Sequence, residues 1–539
     1  MSYPNQQAFD YEPVTRRVDA GGESRASDEQ EFAAPSAFEF PSPRFAEAEN
    51  GGQLKAAGPQ SAQSAQPSPA AQAARRRVER TRSAARRQGN ESWIVKRGHT
   101  LTYLGIFLFT FVVYFRPYEL IPALSAFSSM ALVLAVLTLG IYLPTQLGLE
   151  GNLTARPREV HLLLLLTFTA LLSIPFAIVP GEAWATFNDT FIKAVLMFIV
   201  MVNVVRTEWR LKGLIWLALG VGCLLSLNAL DNYRAGNFTV EGYRVEGDLG
   251  GMFGNPNDMA LHLVTVIPLA VALLLTSRKL AAKALYAVCA LLMLAGTVVT
   301  FSRGGFIGLL FGAGVMAWKL GRRNRLVVTV VSLVTLVCFL ALSPSGYGTR
   351  LLSLFNSNLD AVGSSSTRMA LLKQSVKVAL RWPIFGVGMG NFHIKSIHEQ
   401  VSHNAYTQVA AEMGMTAMVL YTLFIVTPLR RLWQIERETF EDRRQSHFYY
   451  LAVGIQASLV AYLVSSFFAS VAYQWYVYYL VAYAIALRRI YDGAQEALKG
   501  AQSDEASATE ATEPGAARRK SVRAAISNQL DERAGTAAG

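Results

Sequence analysis

Three short stretches of this 539-residue chain each carry a residue suited to moving a group off a phosphate. They are Tyr243-Arg244 followed by Phe253-Gly254-Asn255-Pro256-Asn257, then Ser302-Arg303-Gly304-Gly305, then Ser402-His403-Asn404. An arginine offers a planar fork of donors that meets phosphate oxygens two at a time. A neutral histidine can take a proton from a hydroxyl near pH 7. Two arginines and a histidine therefore suffice to hold a phosphate leaving group and activate an attacking hydroxyl, provided the chain folds them to one place.

Each residue alone has a plainer alternative. Behind Arg244, the glycines 250, 251 and 254 permit close backbone approach. Asn255-Pro256 marks a turn into a helix whose free N–H groups favour an anion. Arg244 read by itself is also an ordinary loop arginine. Arg303 sits in a tight turn between apolar runs, where a charge is costly unless it pairs or faces a wet cavity; the alternative is a side chain snorkelling to the interface. His403 alone is also readable as a satisfied interfacial histidine. His393 and His398 precede it at five-residue intervals, off a common helical face, so no metal site is expected. Glu412 lies in an apolar run nine residues past His403, roughly the opposite helical face, and a structural hydrogen bond is the favoured role.

What could gather these residues is a set of membrane helices. The chain is 52% hydrophobic and only 16% charged, with a mean hydropathy of +0.27, where a soluble protein would carry about 25% charged residues. Apolar runs recur at a length that crosses a ~30 Å hydrocarbon core, and the expectation is an all-α polytopic membrane protein with about twelve spans. The second span is expected over Ser125–Tyr142, the ninth over Leu326–Leu342 and the tenth over Asn404–Val426. Cys223, Cys289 and Cys338 all lie in such runs and offer neither metal spacing nor a disulfide framework.

The turns on one side are basic: Arg206 to Lys212, Ser277-Arg278-Lys279, Arg322-Arg323-Asn324-Arg325, Arg430-Arg431 and Arg488-Arg489. The positive-inside rule then puts both termini in the cytoplasm and the three motifs on the outer face. The formal charge of +12 reports this orientation, and no nucleic-acid partner is expected. Residues 1–97 read as a disordered, basic cytoplasmic extension, without the apolar segment of a cleavable signal. Residues 98–490 read as the transmembrane domain and 491–539 as a disordered cytoplasmic tail. The outer loop 344–403 carries Arg350, Arg368, Lys373, Lys377, Arg381 and Lys395 against Asp360 and Glu399. Its stretch Thr367–Leu380 has the pattern of an amphipathic helix lying along the interface, beside membrane lipids.

From about Arg244 to Val426 the chain resembles the O-antigen ligase/polymerase family of membrane glycosyltransferases. The resemblance rests on Arg244 with Gly251-Met252-Phe253-Gly254-Asn255-Pro256-Asn257, and on Thr300-Phe301-Ser302-Arg303-Gly304. It rests also on Arg368 with Pro383-Ile384-Phe385-Gly386-Val387-Gly388-Met389-Gly390-Asn391-Phe392, and on His403-Asn404 followed by Gly414. Where that last pattern has a second glycine, this chain has Ala417. The resemblance implies a GT-C-like fold at the inner (cytoplasmic) membrane of a bacterium, with 344–403 a periplasmic loop. It implies transfer of a glycan from undecaprenyl pyrophosphate to an acceptor hydroxyl on lipid A–core, on another glycan or on a protein, with inversion and without metal or cofactor. On this reading His403 is the general base, and Arg244 and Arg303 bind the pyrophosphate. Arg368 binds the donor or orders the loop, and Asn255, Asn257, Asn404 and Glu412 support. The readings of another class are a small-solute transporter, such as one for bicarbonate, and a scaffold for envelope assembly.

Overall fold

The computed structural model describes residues 99–512 apart from 128, 239–241, 246–248, 250–252, 323–324, 327, 331–332, 334–336, 338–346, 353–363 and 444–445. The expected N-terminal extension, most of the ninth span and residues 513–539 lie outside the described residues. The helices that carry the architecture are α1 (Thr100–Phe115), α2 (Met130–Glu150), α3 (Arg158–Ser173), α4 (Pro180–Val204), α5 (Glu208–Ala235), α6 (Pro256–Thr276) and α7 (Leu280–Val299). They continue with α8 (Arg303–Leu320), α9 (Ser364–Arg381), α10 (Ala405–Met413), α11 (Met415–Glu438), α12 (His447–Ser465) and α13 (Trp475–Thr512). Among the described residues, seven helical segments (α2, α4, α5, α6, α7, α11 and α12 with its terminal turn) are long and apolar enough to cross a membrane. α1 is apolar but shorter. α3 and α8 miss that standard for physical reasons: α3 opens with Arg158 and Glu159 and has only 16 residues, and α8 has Arg303 and Lys319 at its two ends.

α6 and α12 form the enclosed centre of the bundle, with α8 packed on both. Small residues allow that approach. A methyl group built on Gly308 of α8 would lie 1.8 Å from Ser465 Oγ, and one on Gly312 would lie 3.1 Å from Ala461 Cβ. On α12, Gly454 meets Ala272 Cβ of α6 at 2.6 Å in the same sense. In lipid, helices associate through such close van der Waals contact and not through apolar burial from water. The contact fixes the start of α8 beside the end of α12. At the far end Glu436 of α11, fully buried, pairs with Lys319 of α8 and with Arg322 at 3.1 Å, and accepts from Gln456 Nε2 of α12 at 3.1 Å. A buried carboxylate is tolerated there because every neighbour offers it a donor.

The tenth span, expected as one helix over Asn404–Val426, is two helices. The chain breaks at Gly414, at φ +91° and ψ 170°, between α10 and α11. The loop 383–391 causes the break by docking on it. Met415 N–H donates to Pro383 O at 2.8 Å, Val387 N–H to Ala411 O at 2.9 Å and Gly388 N–H to Glu412 O at 2.9 Å. A Cβ at Gly414 would sit 2.2 Å from Ile384 O, in a backbone region essentially reserved for glycine. Gly414→Ala is therefore expected to cost about 3–5 kcal/mol, combining backbone strain with overpacking. It should sharply lower the yield and melting temperature of detergent-extracted protein; a wild-type melting temperature would refute the clasp.

Two further boundaries differ from expectation. The second span begins at Met130 and not Ser125, because residues 122–127 form a 3-10 turn. α13 continues to Thr512, past the boundary drawn at 490. Its later turns hold Ala494, Gln495, Glu496, Ala497, Leu498 and Lys499, good helix formers that extend a helix already nucleated by the bundle.

Candidate active site

α6 begins where Asn255 Oδ1 accepts the Asn257 N–H at 2.8 Å, with Pro256 in the first helical position. That cap presents Asn257 to two other segments. Its Oδ1 accepts from Arg244 Nη2 at 2.9 Å and from Ser302 Oγ at 3.0 Å. Arg244 Nε also donates to Thr300 O at 2.9 Å, one of the carbonyls left over at the end of α7. Arg244, 2% exposed, is thus no ordinary loop arginine. Ser302 caps α8 by accepting the Gly305 N–H at 3.2 Å. Arg303, the first residue of α8, is 6% exposed and so does not snorkel to solvent. Asn257 therefore ties the two arginine segments, 56 residues apart at Arg244 and Thr300, into one corner.

His403 lies in the left-handed region at φ +51°, as does Phe301 just before the Ser302-Arg303 turn. Each such residue costs about 1–3 kcal/mol and persists only where its surroundings over-determine it. At His403 the restraint comes from its N–H, which donates to Ser470 Oγ at 2.8 Å. The next residue, Asn404, caps α10 by accepting from Tyr406 N–H at 3.0 Å and Thr407 N–H at 3.1 Å. Asn404 Nδ2 is buried and has no hydrogen-bond partner among the described residues. Ser470 stands in the turn between α12 and α13. Phe468 of that turn packs on Gly304, where a Cβ would meet Phe468 Cβ at 2.6 Å. One turn thus touches both the Arg303 corner and the His403 backbone. α6, α8 and α10 all begin at this end of the bundle.

Arg368, on α9, is half-buried, and its charge is felt at His403 and at Asp258. Burial, and then Arg368, push the His403 imidazole from its ordinary 6.5 down to about 4. The sign matters for activity. A lowered pKa keeps the ring neutral through the usual histidine range, and protonation sets in only as pH falls toward about 4. If the neutral ring is the working form, kcat/KM should hold as pH drops through 6.5 and fall away nearer 4, and Arg368→Gln should move that limb upward. A wild-type limb at the ordinary histidine value would contradict this.

Glu412 stands apart. Its Oε2 accepts the Gly390 N–H at 2.9 Å and the Tyr473 hydroxyl at 2.7 Å, bonds that clasp the 383–391 loop to α10 and to the turn before α13. Asn391 extends the clasp by accepting the Val179 N–H at 2.8 Å. His393, near Gly390 O at 2.8 Å and Glu182 at 3.7 Å, also belongs to the clasp. The structure therefore joins Arg244, Asn255, Asn257 and Arg303 in one corner, and places Arg368 and His403 within electrostatic reach of each other. Glu412 accepts hydrogen bonds from Gly390 and Tyr473 that hold the loop. Ser470 was not singled out from sequence, since a serine in a short turn has no signature until its partner is known. The bridging role of Asn257 was hinted at only by its place beside a proline-started helix.

Residues 288–422 match the family model described as O-Antigen ligase. The match takes in Arg303, Arg368, His403 and Glu412 and leaves Arg244 outside it. No curated protein matches the chain. Among solved structures, a chain from one described as "Structural coordination of polymerization and crosslinking by a peptidoglycan synthase complex" is similar at 17% identity. The alignment covers 62% of this chain and 98% of that one, with a TM-score of 0.36; so weak a superposition carries no argument.

Proposed function

We propose, from the match of residues 288–422 to the O-antigen ligase family model, that this chain is a membrane glycosyltransferase of that type, which transfers a glycan from undecaprenyl pyrophosphate to an acceptor hydroxyl at the periplasmic face of the inner membrane. The observation that carries the reading is the corner where Asn257 and Ser302 hold the Arg244 and Arg303 segments together, with one turn linking Gly304 to the His403 backbone.

In this reading the donor diphosphate lies against Arg244 and Arg303, near the starts of α6 and α8. His403 accepts the proton of the acceptor hydroxyl as its oxygen bonds to the anomeric carbon. The bond from that carbon to the phosphate oxygen breaks in the same displacement, which inverts the centre. The electron pair leaves with the diphosphate, where the guanidinium groups stabilise the new charge. No metal is required for that charge, because two arginines and aligned helix N-termini supply the compensation. In the same reading Asn404 Nδ2, buried without a hydrogen-bond partner among the described residues, donates to a sugar or phosphate oxygen.

Ligase activity, with lipid A–core as the acceptor, is the favoured form, and polymerase activity is the nearest alternative. A glycan profile of a deletion strain separates them. Long polyprenyl-linked chains with none on the acceptor would identify a ligase, and single repeats on the acceptor would identify a polymerase. An unchanged profile, in a strain without a redundant enzyme, would overturn the transferase reading.

A further inference from the structure

α9 has three faces. Leu371, Ser375, Val378 and Ala379 are buried, and Val378 packs with Val387, Phe392 and Ala411 of the clasp and α10. Met369, Val376 and Leu380 are exposed by 53%, 41% and 68%. Their spacings of seven and four residues put all three in one narrow stripe away from that packing. Beside the stripe runs a row at four-residue spacing, Lys373, Lys377 and Arg381, all exposed.

The stripe does not stop with the helix. Ile384 is as exposed as Leu380. Phe385 stacks on Phe176 with ring centroids 4.2 Å apart, and Phe176 is itself exposed just beyond the end of α3. Trp382 carries the Arg381 guanidinium at 5.1 Å and the Lys395 ammonium at 6.0 Å from its ring centre. Apolar side chains, aromatic rings and cations in adjoining rows are the composition of a surface at the boundary of hydrocarbon and headgroups. α3, which delivers Phe176, packs on the membrane-crossing α11, so this surface sits where such a helix leaves the bilayer.

We infer that α9 lies along the bilayer surface, with Met369, Val376 and Leu380 among the acyl chains and Lys373, Lys377 and Arg381 on the phosphates of anionic phospholipids. The charge match selects this occupant: a row of three cations flanking an apolar stripe suits an anionic lipid surface. The inference rests on the membrane-spanning architecture and not on the transferase reading. Only its consequence depends on that reading: Arg368 lies on another face of the same helix, so the helix that rests on the headgroups also brings a cation to His403.

The test uses the full chain with Cys223, Cys289 and Cys338 replaced by serine, in nanodiscs of equal parts phosphatidylglycerol and phosphatidylcholine. A polarity-sensitive fluorophore is attached at Leu380→Cys and, as an aqueous control, at Gln400→Cys. The probe at 380 is expected to emit to the blue and to lose most of its emission to nitroxide-bearing lipid, while the probe at 400 is quenched by iodide alone. Charge reversal at Lys373, Lys377 and Arg381 together should weaken the lipid quenching at 380, and phosphatidylcholine alone should do the same. A water-like probe at 380, quenched by iodide as readily as the one at 400, would overturn the inference. So would an apolar probe that lipid nitroxides cannot reach, since a protein would then cover the stripe. Val376→Cys decides the matter if the variant at 380 does not fold. Because the readout is fluorescence, failure here leaves the transferase proposal standing, and loss of transfer activity leaves this inference standing.

Discussion

His403→Ala is expected to lower glycosyl transfer by about 10²–10⁴-fold, the usual contribution of a positioned general base, while the protein still extracts and melts as the wild type does. Two observations lead there. The backbone at His403 is held in the left-handed region by the Ser470 bond, a restraint that orients the residue at some cost in stability. Its ring is kept neutral by burial and by Arg368, the form in which a base must wait. Removing the ring leaves the Asn404 cap of α10 intact, so stability should change little and the loss should fall on kcat. Single-turnover transfer with a defined polyprenyl-linked donor would measure it. Full activity in a folded His403→Ala protein would remove this residue from the chemistry.

Arg303→Gln should lower kcat by about 10²–10³-fold, the range seen when a preorganised donor to a developing anion is lost. Arg303→Lys should recover only part of that, because an ammonium cannot reproduce the planar fork. Arg303 begins a capped helix and is buried beside the turn that holds His403, so a purely structural role would appear as a lowered melting temperature in both variants. Separating kcat from the donor KM is therefore the informative measurement. A loss confined to KM, with kcat unchanged, would make Arg303 a binding residue with no share in stabilising the transition state.

The site was partly legible in the sequence because its residues sit at helix ends, and helix ends have local signatures. Asn255-Pro256 reads as a turn into a helix, and Asn255 caps α6 in the structure; Ser302 and Asn404 also prove to be caps, of α8 and α10. The expected start of α6 at Asn257 lies one residue from the observed Pro256. The break at Gly414 was not legible. Glycine is common inside membrane helices, and here the interruption depends on hydrogen bonds with a loop 24 to 32 residues earlier. The same distance hides Ser470, whose partner lies 67 residues away. Local pattern sets where helices begin; contacts made after they assemble decide which of them bend, break or hold a strained backbone such as that at His403.

Three helices that begin at one end of the bundle favour negative charge there regardless of what that charge carries. On the proposed chemistry, the spent carrier keeps both phosphates and gains the charge left by the broken bond, so the starts of α6, α8 and α10 favour it at least as much as the loaded carrier. Such a pocket has no electrostatic reason to let its product go. Departure must then be driven by the carrier's lipid tail and by dilution into the surrounding bilayer, so the pace of the cycle would be set by how fast spent carrier is cleared from the membrane around the protein.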